Sequence, residues 1–318
     1  AVGMVQDALD AGVTYVDTGD VYGHGDSEEI IGKAIDGRRD EVTLATKIGY
    51  DFYNNPQAGH GELPKELDRD YLETAFERSL DRLDTDYVDL LQLHNANVED
   101  VTPEVRDLLA EWKADGRVRA LGWALGPSIG WLEEGTRAIA EEFDVVQTVF
   151  NTFEQVPGRN FVDEIRETGA DTSLVARVPH SSGLLNEQVT PETELEEGDH
   201  RAYRPDEWYE TGWEKVDAVR FLEEAPDGGN RTMSQAAIQW LLAHDEVASV
   251  TPTFRTTADI DEWAAAPETP ALSDEEFERV AALSEKNFGI DRDDGMDALR
   301  SSVGGEDLAG TGKQPAGD

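Results

Sequence analysis

Cysteine is absent from the 318 residues, so disulfides and thiolate chemistry are both excluded. No apolar run approaches the roughly 20 residues that a membrane-spanning helix needs, and no segment has the pattern of a signal peptide. The lack of cysteine fits a reducing compartment. Together these absences predict a cytoplasmic protein.

Positive charge is scarce: 27 lysines and arginines stand against 69 aspartates and glutamates, a formal net charge of −42. Binding to nucleic acid or to an anionic membrane requires the opposite sign, so neither is an expected partner. The acidic residues are spread along every predicted helix rather than gathered in one tail. Evenly spread acid repels itself unless counterions screen it, which indicates a salt-loaded cytoplasm, as in extreme halophiles.

Strand and helix patterns alternate seven times, which predicts a parallel sheet with right-handed crossovers. An open doubly wound sheet and an eight-stranded barrel both suit this alternation. No GxGxxG follows any strand, which disfavours the dinucleotide-binding open sheet. We therefore predict an α/β fold, a (β/α)8 TIM barrel whose first strand is missing from this chain. The predicted strands are 13–18, 42–47, 87–94, 118–125, 145–150, 173–179 and 247–252.

The helix pattern follows from apolar spacing and from capping residues. Ser27 is predicted to cap the second helix, Thr102-Pro103 to start another, and Ser273 with Glu276 to form a capping box. Residues 1–288 are predicted to form one barrel domain with an irregular insert at 183–212, and 289–318 a flexible tail. Further helices are predicted at 2–11, 68–83, 128–142, 160–168, 213–225, 234–244, 257–266 and 273–286.

Polar residues lie where the predicted strands end, which is where barrel enzymes place their active sites. Lys47 would stabilise the phenolate form of Tyr22, and Asp17 would keep Lys47 charged. Tyr22 would then donate a proton to a carbonyl oxygen that gains negative charge, with His94 as a second donor or an orienting group. No nucleophile accompanies this set, which favours the addition of a hydride that a cofactor delivers.

Four segments occur in the order and at the spacing of a known family. They read VDTGDVYGHGDSEEIIGKAI, TLATKIG, YVDLLQLH and VVQTVFNTFEQ. On these segments the chain resembles the aldo-keto reductase superfamily, from Val13 to about Phe288. The resemblance implies an oxidoreductase that uses NADPH, less often NADH, to reduce a small carbonyl compound. It also implies Tyr22 as the general acid, Lys47 and Asp17 as its tuning pair, and His94 as the residue that orients the carbonyl.

The same resemblance implies where the cofactor is held. Gln147 lies where the family hydrogen-bonds the nicotinamide amide. The segment TPTFRTTADIDE (251–262) matches the one that holds the adenosine end, with Arg255 as a candidate for the 2′-phosphate. Trp123 is a further cofactor-side candidate because of its place at a predicted strand end, although packing is the role that is favoured for a tryptophan there.

Three positions depart from the family pattern on the cofactor side. Ala124 and Leu125 stand where the family commonly has Ser-Asn, so two hydrogen bonds to the carboxamide are absent. Arg177 replaces an aromatic residue that many members stack on the nicotinamide ring, and a guanidinium can also stack. These departures keep a rival interpretation open, an NADPH-binding regulatory protein with little turnover. The intact proton-donor set counts against it, because a sensor needs no proton donor.

Each site residue also has a structural interpretation. A lone Asp-Lys pair is usually a structural ion pair. A lone tyrosine usually packs its ring, and a lone histidine is usually hydrogen-bonded in the core. Asp17, His94 and His180 could meet as metal ligands, but neither HxH nor HExxH occurs, and no metal is expected. The catalytic interpretation is favoured because four candidate residues occur in order at strand ends: Asp17, Tyr22, Lys47 and His94.

The acidic composition generates a first prediction. We expect the unfolding temperature to rise from millimolar to molar KCl, because counterions screen the repulsion among surface carboxylates. Thermal unfolding followed by circular dichroism measures this, with sucrose as an uncharged control for general stabilisation. A protein that is fully folded and equally stable at millimolar salt contradicts the salt adaptation.

Overall fold

A computed structural model describes residues 1–55, 63–126, 131–195, 206–225 and 228–290. Seven strands form one sheet in sequential order, and every neighbouring pair is parallel. The strands are β1 (Tyr15–Asp17), β2 (Thr43–Ile48), β3 (Val88–His94), β4 (Val118–Ala124), β5 (Val145–Val149), β6 (Ser173–Arg177) and β7 (Val247–Thr251).

Helices connect the strands and cover the outside of the sheet. Of the described helices, none is long and apolar enough to cross a membrane. They are α1 (Val2–Asp10), α2 (Asp26–Ala34), α3 (Arg69–Leu83), α4 (Pro103–Ala114), α5 (Leu132–Ala140), α6 (Gly158–Thr168), α7 (Asp206–Val219), α8 (Met233–Leu242), α9 (Thr257–Ala264) and α10 (Asp274–Glu285).

The sheet curls into a nearly closed barrel. Helix α1 packs against both α2 and α9, so the outer layer of helices continues between the two ends of the sheet. Within the described ranges, no strand pairs with the outer edge of β1 or of β7. The predicted (β/α)8 fold class is confirmed, with seven of its strands present in the described residues.

Side chains alternate between the helix layer and the barrel interior along each strand. Leu44 and Ile48 of β2 belong to the main hydrophobic core, together with residues of the surrounding helices. Lys47 lies at an odd position of the strand, opposite in phase to Leu44 and Ile48, and its side chain is directed into the barrel interior. The strand register sets Lys47 beside Gln92 of β3 and Gln92 beside Gly122 of β4. The fold therefore carries a polar row into the barrel interior.

Two of the predicted helix starts are confirmed by their caps. The Thr102 side chain accepts from the backbone N–H of Val105, and Ser273 with Glu276 forms the expected capping box of α10. The prediction for Ser27 is wrong: α2 begins at Asp26, and Ser27 lies in its first turn with its Oγ 2.8 Å from Thr18 Oγ1. Gly25 precedes the helix instead, at φ +98°, a left-handed conformation that glycine adopts without strain.

The predicted insert at 183–212 is too long at its C-terminal end. Helix α7 begins at Asp206 rather than at 213, because Trp208, Val216 and Val219 are buried at helical spacing. Parts of several predicted segments lie outside the described residues. These are 56–62 in the loop after β2, 127–130 before α5, 196–205 in the insert, and 291–318 in the predicted tail.

Candidate active site

The carboxylate of Asp17 is the centre of the hydrogen bonding at the C-terminal ends of the strands. Its Oδ1 accepts from Lys47 Nζ, and Lys47 also donates to the carbonyl oxygen of Thr18 at 2.7 Å. Its Oδ2 accepts from Gln92 Nε2 at 3.0 Å and from Gln147 Nε2 at 2.9 Å. Strands β1, β2, β3 and β5 thus place one side chain each at a single carboxylate.

Lys47 keeps its charge although it is fully buried. Burial alone would lower the pKa of Lys47, but Asp17 and, after it, Tyr22 together outweigh burial, and the pKa is raised from its ordinary value. Because the pKa is raised, the ammonium form is the one present at neutral pH. Two of its three N–H groups are directed to Asp17 and Thr18, which leaves one for a further acceptor.

Tyr22 lies next to this lysine and is accessible from outside, with 39% of its surface exposed. Lys47 Nζ is 5.1 Å from the centre of the Tyr22 ring, and the His94 ring meets the Tyr22 ring edge-on at 5.5 Å. Glycine at position 19 permits this approach, since a Cβ there would lie 3.3 Å from Tyr22 Cε2. A ligand can therefore reach a phenol that has an ammonium group and an imidazole beside it.

His94, the last residue of β3, is buried and neutral at neutral pH. Burial, and then the positive charges of Lys47, Arg177 and Lys65, lower the pKa of His94 well below its ordinary value of 6.5. Its Nδ1 has no hydrogen-bond partner among the described residues. A neutral imidazole without an acceptor at Nδ1 favours the tautomer that carries the proton on Nε2. His94 is thus able to donate one hydrogen bond through Nε2.

Arg177 is brought to this cluster, at the end of β6. Its charge acts on both Lys47 and His94, and its Nε is buried without a hydrogen-bond partner among the described residues. Arg255 lies further away along the chain, between β7 and α9, where its backbone N–H donates to Asp259 Oδ2 at 2.9 Å.

Trp123 does not join the cluster, and its assignment to the cofactor is corrected. It is fully buried, its Nε1 donates to the carbonyl oxygen of Ala96 at 3.0 Å, and its ring packs on Phe143 at 5.4 Å. The physical reason is strand alternation: Gly122 and Ala124 of β4 line the barrel interior, so Trp123 between them is directed into the helix layer.

His180 is also directed away from Asp17 and His94. Its ring lies 4.4 Å from the ring of Trp263, and its Nε2 is 3.3 Å from the carbonyl oxygen of Ser234. Across the described part of the chain, no three histidine, aspartate or glutamate side chains are grouped so that they could hold a metal ion.

Gln92 and Tyr50 belong to the cluster and were missed in the sequence. Gln92 precedes His94 by two residues, so strand alternation alone would have placed both on the same face. Tyr50 follows β2, its ring lies 4.7 Å from that of His94, and its hydroxyl accepts from Asn95 Nδ2 at 2.6 Å. No sequence signal identified Tyr50, because its position depends on the loop after β2.

A second buried charged cluster lies behind the Tyr22 loop. Glu28 accepts from Thr46 Oγ1 at 2.5 Å and from Arg82 Nε at 2.8 Å. Asp20 is also fully buried, and neither of its carboxyl oxygens has a hydrogen-bond partner among the described residues. Burial, and then the charge of Glu28, raise the pKa of Asp20 well above 3.8.

Comparisons with known proteins give a consistent result. A model of the Aldo/keto reductase family matches residues 1–285. The uncharacterized oxidoreductase YqkF of Bacillus subtilis is 28% identical over 294 residues, which are 91% of this chain and 89% of that protein. The NADP(+) aldo-keto reductase yakc of Schizosaccharomyces pombe is 30% identical over 256 residues, 78% of this chain and 72% of that protein. The holo structure of aldo-keto reductase AKR11C1 from Bacillus halodurans superposes with a TM-score of 0.72 at 28% identity, covering 89% of this chain and 86% of that one.

The raised pKa of Asp20 predicts a pH-dependent gain from Asp20→Asn. Above pH 3.8 the unfolded chain releases a proton that the folded protein keeps, so the wild type loses stability as pH rises towards the folded-state pKa. We expect Asp20→Asn to raise the free energy of unfolding at neutral pH and to change it little below pH 3.8. Urea unfolding across this pH range measures the difference.

Asp107→Asn, at an exposed position of α4, controls for the removal of one negative charge. A gain for Asp20→Asn that is equal at every pH, or a loss at neutral pH, contradicts the assignment of a protonated Asp20.

Proposed function

The chain belongs to the aldo/keto reductase family, and from this premise we propose that it transfers a hydride from NADPH to the carbonyl carbon of an aldehyde or ketone. The observation that carries the proposal is the buried Asp17–Lys47 pair beside the accessible phenol of Tyr22. Such a pair keeps a positive charge next to a phenol that a substrate can reach.

Tyr22 is the proton donor in this proposal. The remaining N–H of Lys47 supports negative charge on the phenol oxygen, which makes the hydroxyl a stronger acid towards a carbonyl oxygen. Asp17 holds Lys47 in its charged form, as its raised pKa requires. A positioned general acid of this kind contributes a factor of about 10² to 10⁴ in rate.

His94 is the second group at the carbonyl oxygen. Its neutral imidazole, with the proton on Nε2, donates a hydrogen bond without adding a full positive charge next to Lys47. The edge-on contact between the His94 and Tyr22 rings supports a common target for both donors. Two donors at one oxygen fix the orientation of the carbonyl relative to the incoming hydride.

The nicotinamide cofactor supplies the hydride when it is bound. Two features of the site fit such a group: the buried Nε of Arg177, which has no hydrogen-bond partner within the described ranges, and the amide of Gln147. Because Gln147 Nε2 is directed to Asp17, its Oε1 is the atom left to accept from a carboxamide N–H. Ala124 and Leu125 offer no side-chain donor, so we assign the carboxamide to Gln147 alone. The name of the yeast relative favours NADP(H) over NAD(H).

We further propose that the protein works in a salt-rich cytoplasm. The net charge of −42 supports this. Exposed ion pairs such as Arg220 with Glu187 and Arg69 with Glu73 involve few of the acidic residues. The rest of the acidic surface requires screening by counterions.

Tyr22→Phe tests the proton donor. We expect kcat for NADPH oxidation with an activated aromatic aldehyde in molar KCl to fall by about 10² to 10⁴, because the general acid is removed. The Kd of NADPH, measured by fluorescence, should stay the same. Tyr87→Phe, a tyrosine at the opposite end of β3, is the matched control.

Unaltered turnover in Tyr22→Phe would remove Tyr22 from this role. Oxidation of one NADPH per protein and no more, in the wild type, would instead support the regulatory alternative.

Arg255→Ala tests the assignment of the 2′-phosphate. We expect the Kd of NADPH to rise by roughly 10-fold to 100-fold, since a charge-assisted hydrogen bond contributes about 1.5–3 kcal/mol. The Kd of NADH should change little. Equal losses for both cofactors would mean that Arg255 does not contact the phosphate, and Arg38→Ala at a distant surface position controls for general charge effects.

A further inference from the structure

The two oxygens of Asp17 have different partners. Oδ1 accepts from Lys47, whereas Oδ2 accepts from the amides of Gln92 and Gln147. The Tyr15 hydroxyl also donates to Oδ2, in a long hydrogen bond of 3.4 Å. An ionised carboxylate only accepts hydrogen bonds, so both amides must present Nε2 rather than Oε1 to it. The orientation of each glutamine is therefore fixed by the charge on Asp17.

We propose that Gln92 is a positioning residue for the proton transfer: it holds Asp17 so that Lys47 is directed to Tyr22. This inference rests on the proposed function. Gln92 is adjacent to Lys47 in the strand register and reaches across β2 to a carboxylate on β1. Gln147 reaches the same oxygen from β5, on the other side of the barrel. Donors from both sides prevent the carboxylate from rotating away from Lys47.

The buried amide of Gln92 lowers the stability of the folded protein, so packing alone does not explain this residue. It is fully buried, and its Oε1 has no hydrogen-bond partner in the part of the chain that is described. Glycine at position 122 provides its space, because a Cβ there would lie 2.8 Å from Gln92 Cγ. An apolar side chain in the same space would leave no polar atom unpaired. The benefit that offsets this cost is the hydrogen bond to Asp17.

Removal of this hydrogen bond changes the Asp17–Lys47 pair. With one donor fewer, the carboxylate can rotate away from Lys47, and the ammonium group is no longer held towards Tyr22. Lys47 then supports negative charge on the Tyr22 oxygen less well. The effect is on proton transfer and not on the binding of either substrate, because Gln92 itself contacts Asp17 and not the exposed phenol.

Gln92→Leu separates this role from a structural one. We expect kcat to fall about tenfold, a fraction of what a lost general acid costs, with KM for the aldehyde and Kd for NADPH unchanged. The unfolding temperature should stay the same or rise. Gln239→Leu is the matched control, a buried glutamine on α8 whose Nε2 donates to the carbonyl oxygens of Ala266 and Thr269. That variant should lose stability and keep kcat.

Gln92→Glu gives a readout that packing alone cannot produce. When protonated, the introduced carboxyl donates to Asp17 Oδ2 as the amide does, and when ionised it repels Asp17. We expect kcat relative to the wild type to be restored at acidic pH and to fall as pH rises. Gln239→Glu should show no such pH dependence of kcat. Wild-type kcat in Gln92→Leu, or a flat ratio across pH in Gln92→Glu, overturns the proposal.

A third measurement separates this inference from the proposed function. A wild type that never turns over a carbonyl refutes the proposed function, and the contact is then tested by the 15N resonance of the Lys47 ammonium in protein without cofactor. The chain has only seven lysines, and Lys47→Met assigns the signal. The resonance should move in Gln92→Leu and stay in place in Gln239→Leu. A resonance that Gln92→Leu leaves unmoved shows that Gln92 does not act on the pair.

Discussion

The ion pair between Asp17 and Lys47 is the interaction on which the rest of the site depends. A fully buried ammonium is tolerated only when a carboxylate offsets the loss of hydration, and Asp17 provides that charge. The carboxylate in turn requires donors on its other oxygen, which Gln92 and Gln147 supply. Four strands therefore converge on one anion, and Tyr22 lies beside the cation that this anion retains.

The electrostatics of the site oppose those of the whole molecule. The chain carries a net charge of −42, yet Lys47, Arg177 and Lys65 all act on His94, where burial also lowers the pKa. Burial first, and then the local positive charge at the strand ends, lower the pKa of His94 and keep the imidazole neutral, and that positive charge suits an anionic cofactor. The negative charge of the chain interacts with solvent and counterions, whereas the positive charge at the strand ends acts on His94 and Tyr22.

Sequence reasoning recovered the fold class and six residues that the structure brings together, because strand ends of a parallel barrel are readable from apolar periodicity. They are Asp17, Tyr22, Lys47, His94, Gln147 and Arg177. The same reasoning failed where the outcome depends on which side of a strand a residue occupies. Trp123 was assigned to the cofactor although alternation directs it into the helix layer, and Gln92 was passed over although the same alternation places it with His94. The start of α7 at Asp206 was hidden by an acidic segment whose buried face becomes clear only on packing.

Isotope transfer reveals whether hydride passes directly from nicotinamide to the carbonyl carbon. NADPH that carries deuterium at the transferable position of C4 would be incubated with an aromatic aldehyde, and the alcohol analysed by mass spectrometry and NMR. We expect one deuterium on the carbinol carbon and none exchanged with water. An alcohol without deuterium, or no alcohol from folded protein that binds NADPH, would contradict the proposed hydride transfer.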